Sequence, residues 1–312
     1  FPYWRLKNPY IVGGMLVISF VLLALVAIPG IGKLVNGSRR WLGIGGLTLQ
    51  PSELAKLGVI LCFSSLICRM RGRMSTFKYG ILPFAAILGL VVGLLVLEPH
   101  FSASIIIIAV GGVMMFLGGV RLGWFIGAGS AAAVGIGVLL MLFPYASGRI
   151  NTWRDPFSSS SDEWYQIVQS LYTIGSGGLS GLGLGMSRQK YLYLPEEHND
   201  FIFSVVCEEL GYIGAMAVLI LFAMLIIRGY WIAMHARDRF GALLAAGITT
   251  HLALQTFLNI AVVTNFLPAT GISLPFFSYG GTALLMQLFE VGLILSVSRQ
   301  NDNNFLYQKS VS

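Results

Sequence analysis

Asp200 is the residue of this sequence best placed to act as a general base. It ends a long polar connection, residues 144–200, and stands directly before the apolar run that begins at Phe201. At such a boundary a carboxylate can reach a hydroxyl group of a molecule anchored in a bilayer and accept its proton. An Asp in this position can also cap the helix that follows, so capping alone is the competing interpretation.

Positive charges that could hold an anion lie in two parts of the chain. Arg40 precedes the run Gln50-Pro-Ser-Glu-Leu-Ala-Lys56, and Arg188 and Lys190 lie in the long connection. Glu53 and Lys56 are three residues apart, so a helix that begins near Pro51 places them on one face. A lysine inside a membrane costs roughly 2.5 to 3.5 kcal/mol unless it is paired or hydrated, which favours a functional role. A structural ion pair of Glu53 with Lys56 is the alternative.

Other polar residues in apolar runs are expected to have structural roles. His251, Gln255 and Asn259 recur at i, i+4 and i+8 on one helix face, which favours hydrogen bonds between helices over contact with a substrate. For the acidic residues outside the candidate site we likewise expect structural roles; they are Glu98, Glu196, Glu197, Glu208, Glu209 and Glu290.

The residues 175–185, GSGGLSGLGLG, superficially suggest a glycine loop that binds phosphate. No strand precedes the segment, so it lacks the structural context of the nucleotide-binding motifs. We therefore predict a flexible or tightly turned segment.

The elements that position these residues must be membrane helices. Of the 312 residues, 56% are hydrophobic and only 11% are charged, whereas soluble domains carry roughly 25% charge. Eight apolar runs approach the roughly 20 residues that a transmembrane helix needs, and they predict an all-α polytopic bundle in one domain, residues 1–312. The runs are residues 10–29, 53–69, 80–97, 102–120, 123–143, 201–227, 241–263 and 281–298.

The distribution of Lys and Arg predicts the orientation. Twelve lie on one side and seven on the other, and the seven are Lys33, Arg39, Arg40, Arg149, Arg154, Arg188 and Lys190. Both ends of the chain are therefore expected in the cytoplasm and residues 144–200 in a large exoplasmic loop. The net charge of +7 comes from separate loops without stacking aromatics, which argues against nucleic-acid binding. The uncharged segment 264–280, with Pro268 and Pro275, predicts a re-entrant loop that walls a cavity.

Read together, these segments resemble the SEDS family of peptidoglycan glycosyltransferases, which comprises FtsW, RodA and SpoVE. The resemblance rests on NGSRRWL and QPSELAK, on Glu98-Pro-His100, on RDPF, on the stretch from SGGLSGLG to HNDFIF, and on GISLPFFSYGG. The spacing around Arg188-Gln-Lys190 is more similar to the FtsW and SpoVE branch. The family has ten transmembrane helices, so we expect its first two helices to be missing from this chain.

The resemblance implies a bacterial plasma-membrane enzyme that polymerises lipid II, in cell division or sporulation. It places the catalytic base at Asp200 and the substrate-binding residues at Arg40, Glu53, Lys56, Arg188, Lys190, His198, Ser278 and Tyr279. It implies no certain cofactor and leaves open a divalent cation, Mg²⁺ or Mn²⁺. The implied partners are lipid II, the growing undecaprenyl-diphosphate-linked strand, a class B penicillin-binding protein and other division or sporulation membrane proteins.

Two other classes of function remain as alternatives. A lipid II flippase would use the same cavity and basic residues without a base, and should tolerate Asp200→Asn. A non-catalytic division scaffold should tolerate loss of the whole polar site.

Overall fold

The computed structural model describes residues 3–35, 38–44, 47–130, 153–154, 157, 162–188 and 198–309. Seven of the described helices are long and apolar enough to cross a membrane. They correspond to seven of the eight predicted runs and begin and end close to them, except that Ile202–Met234 extends past the predicted end at residue 227. The fifth predicted run is helical over residues 122–130, and its remainder lies outside the described residues. The chain forms two compact units.

The first unit comprises Phe1–Arg121, Leu225–Leu254 and Gly280–Ser312. A 3-10 helix over Tyr3–Lys7 opens the chain. The helices that follow are α1 (Pro9–Ala27), α2 (Pro51–Arg69), α3 (Leu82–Leu97), which continues the π-helical Phe77–Ile81, and α4 (Phe101–Gly118).

Helix α2 is the central helix of this unit. In its most apolar stretch 83% of the residues are buried, against 22% for α1 and for the span Phe77–Leu97. The ring of Phe63 meets Phe84 edge to face at 4.8 Å, which joins α2 to α3. Because α2 is enclosed by protein, it can carry Glu53 and Lys56 without exposing them to lipid.

A small sheet between α1 and α2 is a feature that the all-α prediction missed. Strands β1 (Gly32–Val35), β2 (Ser38–Ile44) and β3 (Leu47–Leu49) pair antiparallel in the order β1-β2-β3. Val35 pairs with Ser38 across a two-residue connection, and the sequence there is Asn-Gly, a strong hairpin signal. The sheet carries Arg40 on its middle strand.

The second unit comprises Leu122–Met224 and Gln255–Tyr279. It contains α5 (Asp162–Ser176) and the first part of α6 (Ile202–Met234); α7 (Arg239–Val263) contributes its last turns. Helix α8 (Gly281–Lys309) belongs to the first unit. Ser170 joins three helices of the second unit, because its hydroxyl lies 2.7 Å from Ser204 Oγ and donates to the carbonyl of Val263 at 2.7 Å.

An apolar core lies beneath the loop 264–280. Its buried members are Ile167, Phe201, Phe203, Val205, Cys207, Ala215, Val218, Phe222, Val263 and Leu274. Phe222 stacks on Phe276 of the loop with ring centroids 6.5 Å apart. The loop is therefore held to the helices by packing as well as by hydrogen bonds.

The glycine-rich segment 175–185 packs backbone to backbone against α6. Leu182 and Gly183 donate their N–H groups to the carbonyls of Glu208 and Glu209, each at 3.0 Å. Helix α6 breaks at Gly211, which has φ 67° and ψ −171°, and a Cβ there would lie 2.3 Å from the nitrogen of Gly181. The segment is thus tightly turned, which is one of the two predicted forms. It packs against α6 so closely that there is no room for a side chain at Gly181 or Gly211.

Candidate active site

Three consecutive backbone carbonyls, those of His198, Asn199 and Asp200, are each held by a different donor. Tyr279 N–H donates to His198 at 2.8 Å, and Ser278 Oγ donates to Asn199 at 2.6 Å. The Asn259 amide donates to Asp200 at 2.7 Å. We call residues 198–200 the HND segment. Its backbone is fixed by the loop 264–280 and by α7.

Asn259 is the residue that links these two elements. It is fully buried, and its Nδ2 also donates to the carbonyl of Ile272 at 2.6 Å. One turn earlier on α7, Gln255 donates to the carbonyl and the hydroxyl of Ser273, each at 3.1 Å. Two of the three residues of the predicted polar face therefore bond to protein groups, which agrees with a structural role. Their bonds run from α7 to the loop 264–280 and to Asp200, however, and not from helix to helix as predicted.

Gly271 leaves room for the Asp200 side chain. A Cβ at residue 271 would lie 3.2 Å from Asp200 Oδ2, and the φ of Gly271 is 65°, a conformation that L residues rarely adopt. A side chain at residue 271 would therefore crowd the carboxylate.

The arrangement around Asp200 suits a general base. The side chain is only partly buried, while the backbone beneath it is fixed by hydrogen bonds. A base must first be held within reach of the proton it removes, so a fixed backbone serves that chemistry. Helix α6 begins at Ile202, two residues beyond Asp200.

The remaining predicted residues near Asp200 have different surroundings. Ser278 uses its hydroxyl within the protein, since it also accepts from Leu274 N–H at 2.7 Å. Tyr279 contributes its backbone to the HND segment, and its ring is 83% exposed. His198 is exposed. The family resemblance implies that these three residues bind the substrate, and in the structure Ser278 and Tyr279 also hold the backbone of the HND segment.

The backbone of Arg188 is held by the buried acidic residue Glu208. Glu208 is 1% exposed and accepts hydrogen bonds from the hydroxyls of Ser176 and Ser187 and from the Arg188 backbone N–H at 3.3 Å. Glu209 accepts from Ser187 N–H at 3.3 Å. The expected structural role of this pair fits these contacts, while the Arg188 side chain is exposed.

Glu53 and Lys56 form a buried ion pair in the first unit. Lys56 Nζ lies 2.8 Å from Glu53 Oε1, and the two side chains are 4% and 7% exposed. Lys56 also lines a crevice too narrow for a water molecule, together with Val59, Ile60, Ile106, Ile107, Val110 and His251. His251 Nδ1 lies 3.0 Å from Glu290 Oε2. Two buried pairs of a base and an acid thus occur in this unit.

Arg40 contacts the loop between α3 and α4. Its Nη2 donates to the carbonyl of Pro99 at 2.5 Å, between Glu98 and His100, which are 1% and 6% exposed. Burial raises the pKa of the Glu98 carboxyl to about 8, although the charge of Arg40 opposes the rise. Burial, with help from Arg40 and Lys56, lowers the pKa of His100 to about 3. Both side chains are therefore mainly neutral at pH 7.

The structure thus gathers the predicted residues into two groups, one in each unit. Asp200, His198, Ser278, Tyr279 and Arg188 lie in the second unit, and Arg40, Glu53 and Lys56 lie in the first. Lys190, Glu196 and Glu197 lie outside the described residues.

Within the part of the chain that the structure describes, no three His, Cys, Asp or Glu side chains are grouped to hold a metal ion. No residues are therefore assigned to the divalent cation that the sequence left open.

Comparison with known proteins places the chain in a family. A model of the cell cycle protein family that comprises FtsW, RodA and SpoVE matches residues 1–303. The chain is 41% identical to stage V sporulation protein E of Bacillus subtilis over 285 residues, which are 91% of this chain and 78% of that protein. It is also 41% identical over 284 residues to the probable peptidoglycan glycosyltransferase FtsW of Trichlorobacter lovleyi, covering 91% of this chain and 74% of that one.

Two solved structures share the fold. One belongs to a peptidoglycan synthase complex that coordinates polymerization and crosslinking, with a TM-score of 0.81 and 29% identity over 96% of this chain and 84% of that chain. The other is the rod shape determining protein RodA of Thermus thermophilus, with a TM-score of 0.66 and 29% identity over 93% of this chain and 78% of that chain. With seven candidate spans among the described residues, the chain is a multi-pass membrane protein.

Proposed function

The chain belongs to the SEDS family, the cell cycle proteins that include FtsW, RodA and SpoVE, and from this premise we propose that it is a peptidoglycan glycosyltransferase that polymerises lipid II. The relatives named as probable peptidoglycan glycosyltransferases support the reaction class. Within this chain, the observation that carries the proposal is the set of three hydrogen bonds to the carbonyls of the HND segment. These bonds fix the backbone of Asp200, whose side chain is partly exposed.

In the proposed reaction Asp200 accepts the proton of the acceptor sugar's 4-hydroxyl. The hydroxyl oxygen attacks the anomeric carbon of the donor and forms the new glycosidic bond. The bond from that carbon to the diphosphate oxygen breaks, and undecaprenyl diphosphate leaves with the bonding electrons. The base is needed because a neutral hydroxyl is a weak nucleophile.

The leaving diphosphate needs positive charge, and Arg40, Lys56 and Arg188 are proposed to supply it. A hydrogen bond between a cation and a phosphate oxygen is roughly twice as strong as a neutral one. Lys190 is a further candidate from the sequence, and Glu53 is proposed to orient Lys56 through the ion pair. Charge held in place before the bond breaks stabilises the transition state without reorganisation.

We propose that the reaction takes place at the exoplasmic face of a bacterial plasma membrane. Both ends of this chain are placed in the cytoplasm, because the side of the membrane on which they lie carries more Lys and Arg than the side of the candidate site. We also propose a class B penicillin-binding protein as partner, since the enzyme makes strands that a transpeptidase must cross-link. The similarity to a chain of a peptidoglycan synthase complex supports that partner.

The test is polymerisation of fluorescently labelled lipid II by the purified full-length protein with its partner. The wild type should give a ladder of glycan strands on a gel. Asp200→Asn should give none, while lipid II binding and thermal unfolding stay close to wild type. If Asp200→Asn still polymerises within a few-fold of wild type, Asp200 is not the base. If the wild type moves lipid II across vesicles and makes no strands, the flippase alternative is the correct one.

A further inference from the structure

The loop between α3 and α4 contains three buried polar atoms without a hydrogen-bond partner. They are both carboxyl oxygens of Glu98 and the Nδ1 atom of His100. The two side chains are 99% and 94% shielded from solvent. Buried polar atoms are nearly always paired in native proteins, and those that are not call for a ligand or a water molecule.

The backbone of this loop is contacted by Arg40. Pro99 lies between the two side chains in the sequence. Its carbonyl receives the Arg40 guanidinium at 2.5 Å. Pro99 thus separates Glu98 and His100, and the charge of Arg40 acts on both side chains.

The charges in this region determine what a ligand can be. Arg40 lies on β2 and Lys56 lies on α2. The positive charges of both side chains lower the pKa of His100. Because burial keeps Glu98 protonated and His100 unprotonated, each offers a donor and an acceptor but no net charge. A neutral carboxyl and a neutral imidazole match a neutral polar group, such as an amide or a hydroxyl.

We infer that Glu98 and His100 bind an uncharged polar group of the sugar that is joined to the diphosphate held by Arg40 and Lys56. The inference rests on the proposed function. Sugars carry hydroxyl and acetamido groups on the ring that bears the diphosphate, so a group that binds Arg40 brings such substituents close to residues 98–100. The pair would select a glycosylated lipid diphosphate over the bare lipid diphosphate.

Two probes separate this role from that of the cations, namely lipid II and undecaprenyl diphosphate. Binding of each is measured with the full-length protein in nanodiscs. Glu98→Leu and His100→Leu should weaken lipid II binding by about fivefold or more, the loss of one or two hydrogen bonds, and change undecaprenyl diphosphate binding less than twofold. Arg40→Ala should weaken binding of both. Glu98→Gln should recover most of the affinity that Glu98→Leu loses.

A matched control is Thr249→Val on α7. Its hydroxyl is also buried and without a partner, and it belongs to neither group of site residues, so lipid II binding should stay at the wild-type level. The inference is overturned if Glu98→Leu binds lipid II as tightly as wild type, or if it weakens both probes equally. Failure of the proposed function would be visible in a different measurement, because the wild type would then make no glycan strands from lipid II in the polymerisation assay, whatever its affinity for lipid II.

Discussion

The side-chain amide of Asn259 donates to the backbone carbonyl of Asp200 at 2.7 Å. The proposed base is thereby tied to the last turns of α7, and through the second bond of Asn259 to Ile272 of the loop 264–280. Displacement of either element would move the carboxylate. The position of Asp200 therefore depends on residues distant in sequence.

Asn259→Leu should lower the turnover number of polymerisation at least tenfold and leave lipid II binding nearly unchanged. The Ile272 carbonyl, which is buried, and the Asp200 carbonyl, which is partly buried, lose their donor. Loss of the donor to a buried carbonyl costs about 1–3 kcal/mol, so the unfolding midpoint should also fall. The matched control is Gln255→Leu, which removes hydrogen bonds to Ser273 one turn away. Gln255→Leu should lower the unfolding midpoint to a similar degree as Asn259→Leu but reduce turnover less. If both variants lose turnover equally, Asn259 contributes to stability alone.

Gly271→Ala should impair catalysis by moving Asp200. The added Cβ would lie 3.2 Å from Oδ2, at a φ of 65°, so both steric pressure and backbone strain act on the loop. Gly280→Ala is the comparison, because its Cβ would meet only Ala283 at 3.6 Å. The rate of strand synthesis at saturating lipid II should be lower than wild type in Gly271→Ala and unchanged in Gly280→Ala. Wild-type turnover in Gly271→Ala would show that Asp200 does not need this space.

Lys56→Met should destabilise the protein by about 3–5 kcal/mol, because it leaves the Glu53 carboxylate buried and without its cation. The double variant Glu53→Gln/Lys56→Met removes both charges and should recover most of the unfolding midpoint. If Lys56 binds the diphosphate, the double variant should still bind lipid II weakly and polymerise slowly. Full activity in the refolded double variant would restrict the pair to a structural role.

Glu98→Gln should change how stability depends on pH. The carboxyl has a pKa of about 8 in the folded protein and an ordinary value of 4.5 when exposed. The folded state therefore keeps a proton that the unfolded state loses, so wild-type stability is highest below pH 4.5, falls as the pH rises to about 8, and then levels off. The difference in unfolding midpoint, variant minus wild type, should grow across that window. Parallel curves from pH 4 to 9 would contradict the raised pKa.

The membrane helices could be predicted from sequence because a span needs a continuous apolar run. Helix α6 shows the limit of that rule. The apolar run ends near Arg228, yet the helix continues to Met234, since backbone hydrogen bonding does not stop at the last apolar residue. The sheet that carries Arg40 was missed even though Asn36-Gly37 is a hairpin signal, because a small sheet leaves no trace in hydropathy.

Asp200 could be found from its place at the edge of an apolar run, and the family motif points to the same residue. The roles of its supports could not be found in this way. Ser278 and Asn259 act on the HND segment across a separation of more than 50 residues, and such contacts exist only after folding. The neutral state of Glu98 also depends on burial by tertiary structure, which neither its neighbours nor its spacing encodes.

The glycine-rich segment contacts the break in α6 through Gly181 and Gly211. We expect these two residues to tolerate substitutions in a different way from Asp200. At Gly181 and Gly211 even a methyl group would meet backbone atoms at 2.2 Å and 2.3 Å, so every replacement should be rejected to a similar degree, whatever its chemistry. At Asp200 tolerance should instead depend on whether the replacement can accept a proton. A saturation scan would thus distinguish residues kept for the absence of a side chain from residues kept for what their side chain does.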